Sequence, residues 1–319
     1  MKRDDQTVPS VLQKLADILG AEVKNRKLEI PTKFGSGYCI GFVFNEHIRM
    51  LISNYELNQN IEVENPELDE TKKLIFFKFQ NIFPKLETVL PRERASGIPS
   101  VLIATSRINT DEIIAIHSNT STINIEVDTA YLSKLLTGTS QSQILKRLIQ
   151  NTQPYLFEQL IYPTLQRVVD EIMTDPISDT FELLLKRIKS EELICRLLME
   201  LEKRDEKHIY AINNYDISIL YKIRDQILEH LHIPPVISEL SIAFGMSPTK
   251  LKRLFKQVFG DSIFSYYQRF RMNEAALLLK EGPYSVSEVG YKLGFTNLSH
   301  FSKLFKEHFG MNPKMYTMM

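Results

Sequence analysis

The strongest constraint in this sequence is a pattern that occurs twice: an apolar helical period, a glycine, then a second and more basic helical period. In the later copy Ser285 stands where a first helix can be capped, and Val286, Val289 and Leu293 recur at spacings of three and four on one face. Gly294 ends that helix, because glycine accepts the left-handed backbone of a sharp stop. Gly290, four residues earlier, offers no side chain where a crossing helix must come close. Thr296 or Asn297 then caps a second helix with Phe301, Leu304, Phe305 and His308/Phe309 inward. Leu298, Ser299, Ser302, Lys303 and Lys306 are left outward, and Gly310 with Pro313 stops the helix.

The earlier copy runs from Val236 to Phe259. A helix capped near Ser238 carries a small residue, Ser241, four before Gly245. Ser247 caps the next helix, Pro248 sits in its first turn, and Leu251, Leu254, Phe255, Val258 and Phe259 face inward. Thr249, Lys250, Lys252, Arg253 and Lys256 remain outside. The turn glycines are 49 residues apart, and the second turn is one residue longer: Gly245 precedes Leu251 by six positions, Gly294 precedes Phe301 by seven. Between the copies Ile263 to Leu279 forms a long helix with Phe264, Tyr267, Phe270, Ala275 and Leu278/Leu279 toward a core, broken at Gly282-Pro283. Ser218 to Leu231 is a further helix ahead of the first copy. A repeat of this kind is read as architecture before either copy is read alone.

The remainder has a different texture. Val8 to Ala21 is a small amphipathic helix. From Leu28 to Asp128 apolar residues alternate or run in short bursts, which predicts strands at about 37–44, 48–57, 73–79, 99–107 and 123–127 and suggests a sandwich or barrel. Tyr131 to Glu206 is helical, with Tyr155 to Met173 and Phe181 to Leu201 the clearest helices. In the latter, Leu183, Leu184, Ile188, Leu193, Leu197, Leu198 and Leu201 make one apolar stripe, with Lys186, Arg187, Lys189, Glu191, Glu192 and Glu202 opposite. This helix pair reads either as a subunit interface or as a layer closing the strand domain. The division is a domain at 1–205 (β-rich to about 128, helical from about 131), a linker at 206–216 and an all-helical domain at 217–319.

The net charge of zero hides an asymmetry, since residues 217–319 hold 13 Lys+Arg against 8 Asp+Glu and the rest holds 26 against 31. A basic module joined to an acidic body fits nucleic-acid binding by the module alone. Two isolated cysteines, an N-terminus without an apolar core and the lack of any long apolar run predict a cytoplasmic protein without membrane contact.

Residues 218–316 resemble the tandem helix-turn-helix domain of the AraC/XylS family of transcription regulators. The resemblance is carried by Leu240-Ser241, Gly245-Met246-Ser247-Pro248, Leu251, Leu254-Phe255-Lys256, then Arg271-Met272, Ala275, Leu278-Leu279. It continues with Gly294-Phe295, Asn297, Ser299-His300-Phe301-Ser302, Phe305-Lys306, Phe309-Gly310, Pro313 and Tyr316. Two positions depart from the family pattern: Thr317 follows the tyrosine where arginine is usual, and Gly290 stands where alanine is usual. The resemblance implies an α+β chain: an N-terminal, β-rich, cupin-like domain with trailing helices that senses an effector or dimerises, then an all-α domain of two helix-turn-helix motifs. It implies a sequence-specific regulator bound to double-stranded DNA. The further partners implied are a small-molecule effector, RNA polymerase and a second copy of the chain.

Two helices on one linking helix can enter successive major grooves. Thr249, Lys252 and Arg253 in the first, and Leu298, Ser299, Ser302 and Lys303 in the second, take the places where family members contact base edges, with Arg253 suited to guanine and Leu298 to a thymine methyl. Ser247, Lys250, Lys256, Asn297 and Lys306 are the phosphate candidates.

Other constellations carry less. His230-Leu231-His232 would point its rings to different faces of a helix, and His47 and His117 form no chelating pair, so no metal is expected. Cys39 reads as a buried strand residue or as a thiol sensor, and Gly35-Ser36-Gly37 is too short for a phosphate loop, so no cofactor is expected. The aromatics Phe34, Tyr38, Phe42, Phe44, Phe76 and Phe77 read equally as core or as the lining of a ligand pocket. The alternatives to an effector-responsive activator are an enzyme or thiol-sensing domain fused to a DNA-binding tail, and a dimeric regulator that senses nothing. An alkyl-transfer repair enzyme would need a zinc-cysteine cluster, which two isolated cysteines do not supply.

Overall fold

Phe42, Ile48, Met50 and Ile52 project onto one face of a sheet, and the main core of the N-terminal unit is built on that face. A computed structural model describes residues 8–58, 73–82, 99–106, 108, 119–136, 142–174, 178–204 and 209–318. The chain divides into two units, Met1–Asn214 and Tyr215–Met319.

In the first unit, strands β1 (Lys27–Glu29), β2 (Gly35–Val43), β3 (Ile48–Leu57), β4 (Leu74–Gln80), β5 (Ser100–Thr105), β6 (Asn119–Asp128) and β7 (Leu156–Leu160) make one antiparallel sheet in the order β1-β2-β3-β6-β4-β5-β7. All five predicted strands form. The sheet is open among the described residues, with β1 and β7 at its edges, so the expected sandwich or barrel takes the form of a single sheet backed by helices. One face presents Phe42, Met50, Ile52, Phe77, Phe79, Val101, Ile103, Ile123, Ile125 and Phe157 to helices α2 (Thr129–Leu135), α3 (Gln143–Gln150), α4 (Pro163–Thr174) and α5 (Asp179–Glu202). On the other face helix α1 (Ser10–Leu19) packs over β2. A Cβ on Gly41 would come within 2.5 Å of Pro9 Cδ, so the glycine sets how closely α1 approaches.

Two expectations are corrected. The helix expected from Tyr155 splits, because Leu156–Leu160 pairs with the open edge of β5 and Pro163, which has no N–H to donate, opens α4 instead. The single apolar stripe expected on α5 is really two. Leu193, Ile194, Leu197, Leu198 and Leu201 are buried together with Lys186, whose ammonium donates to the Ile172 carbonyl. On the opposite side Phe181, Leu184, Ile188 and Met199 are exposed, with Cys195 among them.

Residues expected as linker are partly structured: Ile212 is buried and its N–H donates to the Pro154 carbonyl at 2.9 Å. The second unit is helical, with α6 (Asn214–Glu229), α7 (Ile237–Phe244), α8 (Pro248–Phe259), α9 (Ile263–Glu281), α10 (Val286–Lys292), α11 (Leu298–Phe309) and α12 (Pro313–Tyr316). The chain is therefore α+β. Among the described residues no helix is long and apolar enough to cross a membrane.

Candidate nucleic-acid interface

In the first motif α7 and α8 meet at Gly245, whose φ of 64° is the left-handed conformation that ends α7. Val236, not Ser238, occupies the cap position of α7, and no side chain caps it. Ser241 closes the turn by donating from Oγ to the Met246 carbonyl at 2.6 Å. Leu251, Leu254, Phe255, Val258 and Phe259 are buried as expected, and Thr249, Lys252, Arg253 and Lys256 stand on the exposed side of α8. Ser247 precedes Pro248 as expected, yet its hydroxyl makes no capping bond. Lys250 is engaged: its ammonium lies 2.7 Å from the carboxylate of buried Asp216, which ties α8 to α6. This is the side chain for which a phosphate role was expected, and in the DNA-free chain it is held by that ion pair.

The second motif opens with a reciprocal cap. Ser285 N–H donates to Glu288 at 2.7 Å and Glu288 N–H donates to Ser285 Oγ at 3.3 Å. These bonds hold the Glu288 carboxyl below its ordinary range. Asn297 caps α11 by accepting from the Ser299 and His300 N–H groups at 2.9 and 3.1 Å. Phe301 and Phe305 are buried, while Ser299, Lys303 and Lys306 are exposed and Ser302 is half-buried. Leu298 departs from the outward position expected for it, since it is half-buried and its Cδ2 occupies the space beside Gly290.

Helix α9 carries both motifs. Tyr267, Phe270, Ala275 and Leu279 are buried, but Phe264, expected toward the core, is 53% exposed. Arg271 is the residue whose role periodicity missed. It is buried, its Nε donates to the Leu293 carbonyl at 2.7 Å, and its guanidinium lies 3.5 Å from the Phe295 ring centroid. Burial pushes its pKa down. In the sequence it is marked only as part of the Arg271-Met272 pair in the family pattern, which says nothing of what the side chain holds. His308 Nε2 meets Asn273 Oδ1 at 3.1 Å, which ties α11 to α9. His230 and His232 follow the end of α6 and are not on a helix. Their ring centroids are 6.1 Å apart, and no group of three or more potential metal ligands occurs among the described residues.

In the N-terminal unit the six aromatics do not converge. Phe42, Phe44 and Phe77 pack in the main core, Phe34 packs with the α1 cluster, Phe76 faces away from its neighbour Phe77, and the Tyr38 ring lies under the Lys27 ammonium. Cys39 is buried beside Ser53, and burial pushes its thiol up to about 12. His117 lies outside the described residues. The sheet face away from the main core carries buried polar side chains on β4 to β7, Lys78, Gln80, Ser100, Thr122 and Glu158, beside the buried apolar Leu102, Ala104 and Leu156.

Residues 240–319 match the model of a family described as a helix-turn-helix domain. The HTH-type transcriptional regulator GbdR of Pseudomonas aeruginosa is 32% identical over 108 residues, 34% of this chain and 29% of GbdR. The multiple antibiotic resistance protein MarA of Escherichia coli is 30% identical over 105 residues, 33% of this chain and 83% of MarA. The solved DNA-binding domain of AdpA, in complex with a target DNA, is 27% identical, covers 31% of this chain and 89% of that chain, and superposes with a TM-score of 0.30. The chain thus spans under a third of GbdR and most of MarA.

Proposed function

Because the chain belongs to the AraC/XylS family of transcription regulators, we propose that it binds DNA sequence-specifically by placing α8 and α11 in successive major grooves. The observation that carries this reading is the pairing of two helices with buried inner faces and polar, basic outer faces on one connecting helix. Thr249, Lys252 and Arg253 read bases from α8, and Ser299, Ser302 and Lys303 from α11. Lys256, Lys306 and the N–H groups at the Ser247 and Asn297 helix starts hold phosphates. Selection of duplexes from a random pool by the full chain tests this. Two enriched blocks about 10 bp apart are expected, and an unenriched pool would overturn it.

The N-terminal unit supplies control. The exposed stripe of Phe181, Leu184, Ile188 and Met199 on α5 is flanked by charges of both signs, Arg187 and Glu191 on one side, Lys189 and Arg196 on the other. Such a surface is complementary to a second copy of itself, and homodimerisation through α5 follows. Cys195 lies within the stripe, so a short bis-maleimide should join two chains there and Ile188→Glu should abolish the product. A small-molecule effector fits the buried polar sheet face around Lys78, Gln80 and Glu158 better than the dispersed aromatics. Its binding shifts the population toward a state that places the DNA-binding units or contacts RNA polymerase, as an activator. The reading assigns the chain no catalytic step.

A further inference from the structure

Gly290 and Leu298 stand where α10 and α11 cross. A Cβ on Gly290 would lie 2.6 Å from Leu298 Cδ2 and 3.3 Å from Phe301 Cδ1, the first closer than two carbon atoms approach. Leu298 is half-buried, although Thr296, Asn297, Ser299 and His300 around it are all exposed. The first motif is built differently. Ser241, also four residues before the turn glycine, uses its hydroxyl on the Met246 carbonyl, and Pro248, which matches Leu298 when Leu251 is matched to Phe301, is exposed. Thus only the second motif draws the first residue of its recognition helix into the crossing.

We infer that Gly290 is a positioning residue for base preference: by omitting one methyl group it keeps the Leu298 side chain in the helix crossing and withholds a thymine-methyl contact from α11. The inference rests on the reading of α11 as a recognition helix. An alanine at 290 meets the far end of a flexible side chain, which rotates out at small cost, and it raises helix propensity. Once outward, the Leu298 methyl groups reach the groove where thymine presents its own.

The test is selection by the full chain from duplexes randomised under α11, comparing wild type, Gly290→Ala, Leu298→Ala and the double variant. Leu298→Ala is expected to leave base preferences unchanged. Gly290→Ala is expected to gain about fourfold preference for thymine at one position, the worth of one buried methyl group, and the double variant to lose it. Unchanged preferences in Gly290→Ala, a shift that survives in the double variant, or a change at that position from Leu298→Ala alone would each overturn the inference. The underlying placement has its own readout in DNA-free protein. A nuclear Overhauser contact between a Leu298 methyl and the Gly290 Hα is expected, and its absence sinks the inference whatever the DNA result. A wild-type chain that shows the contact yet selects no sequence overturns the recognition-helix reading, and the inference with it.

Discussion

Arg271 Nε donates to the Leu293 carbonyl at 2.7 Å, across the boundary between the connecting helix α9 and the end of α10. That carbonyl belongs to the last turn of α10, where backbone acceptors have no intrahelical donor. The same guanidinium stacks on Phe295, one residue beyond Gly294, so one side chain satisfies the helix end and fixes the turn. Lysine carries the charge but not the planar fork. Arg271→Lys is therefore expected to loosen the second motif by about 1.5–3 kcal/mol, the range for a hydrogen bond made by a charged group. Hydrogen exchange of residues 286–295 in the full chain reads this directly, and protection equal to wild type would remove Arg271 from the role.

The two turn glycines differ in what surrounds them. Gly245 has a φ of 64° and open space where a Cβ would go, whereas Gly294 has a φ of 77° and a Cβ there would overlap the His232 carbonyl. Asparagine tolerates the left-handed conformation better than other side chains. Gly245→Asn should cost less than about 1 kcal/mol, while Gly294→Asn should cost more than about 3 kcal/mol through the backbone it displaces. Parallel hydrogen-exchange measurements on the two variants separate the cases, and equal losses would contradict the contact with His232.

Much of the second unit was legible in its sequence because each motif repeats an apolar period around a fixed turn. Leu251, Phe255, Phe301 and Phe305 are buried where that period puts them. What period cannot show is which partner covers a face. Leu184 and Ile188 share the spacing of Leu193 and Leu197 but lie on the uncovered side of α5. Lys250 looked like its outward neighbours until Asp216, 34 residues earlier, proved to be its partner. Leu156–Leu160 had too few residues to distinguish a buried helix from a strand, and an available sheet edge decided it. Leu298 was misplaced for a related reason: the space that receives it is created by Gly290 on another helix.

His308 adds a pH dependence of defined sign. Burial, and then the Arg269 guanidinium, hold its pKa below the ordinary histidine value, while its Nε2 meets Asn273. Between the depressed folded value and the ordinary value near 6.5, the unfolded chain binds more protons than the folded one, so stability falls as pH drops through that window. The slope for one group cannot exceed about 1.4 kcal/mol per pH unit, and solvent screening of this only partly buried ring keeps it well below that. His308→Gln retains a partner for Asn273 and cannot titrate. Melting of the full chain between pH 7.5 and 5 should show a smaller acid loss in the variant; identical curves would assign the acid sensitivity elsewhere.

On the proposed DNA-binding surface, Arg253 and Lys306 would separate base reading from phosphate contact. Both are exposed, Arg253 on the outer face of α8 and Lys306 toward the end of α11. A guanidinium can grip guanine through two acceptors, so Arg253→Ala should cost about 1–3 kcal/mol on the selected site and relax the preference at one base pair. An ammonium contacts phosphate as a point charge, so Lys306→Ala should weaken all sequences evenly and lower the slope of log affinity against log salt by about 1. Titrating both variants against single-base variants of the selected duplex, at several salt concentrations, distinguishes these patterns. An even loss on every duplex for Arg253→Ala would move that side chain from the bases to the backbone, leaving discrimination in the first motif to Thr249 and Lys252.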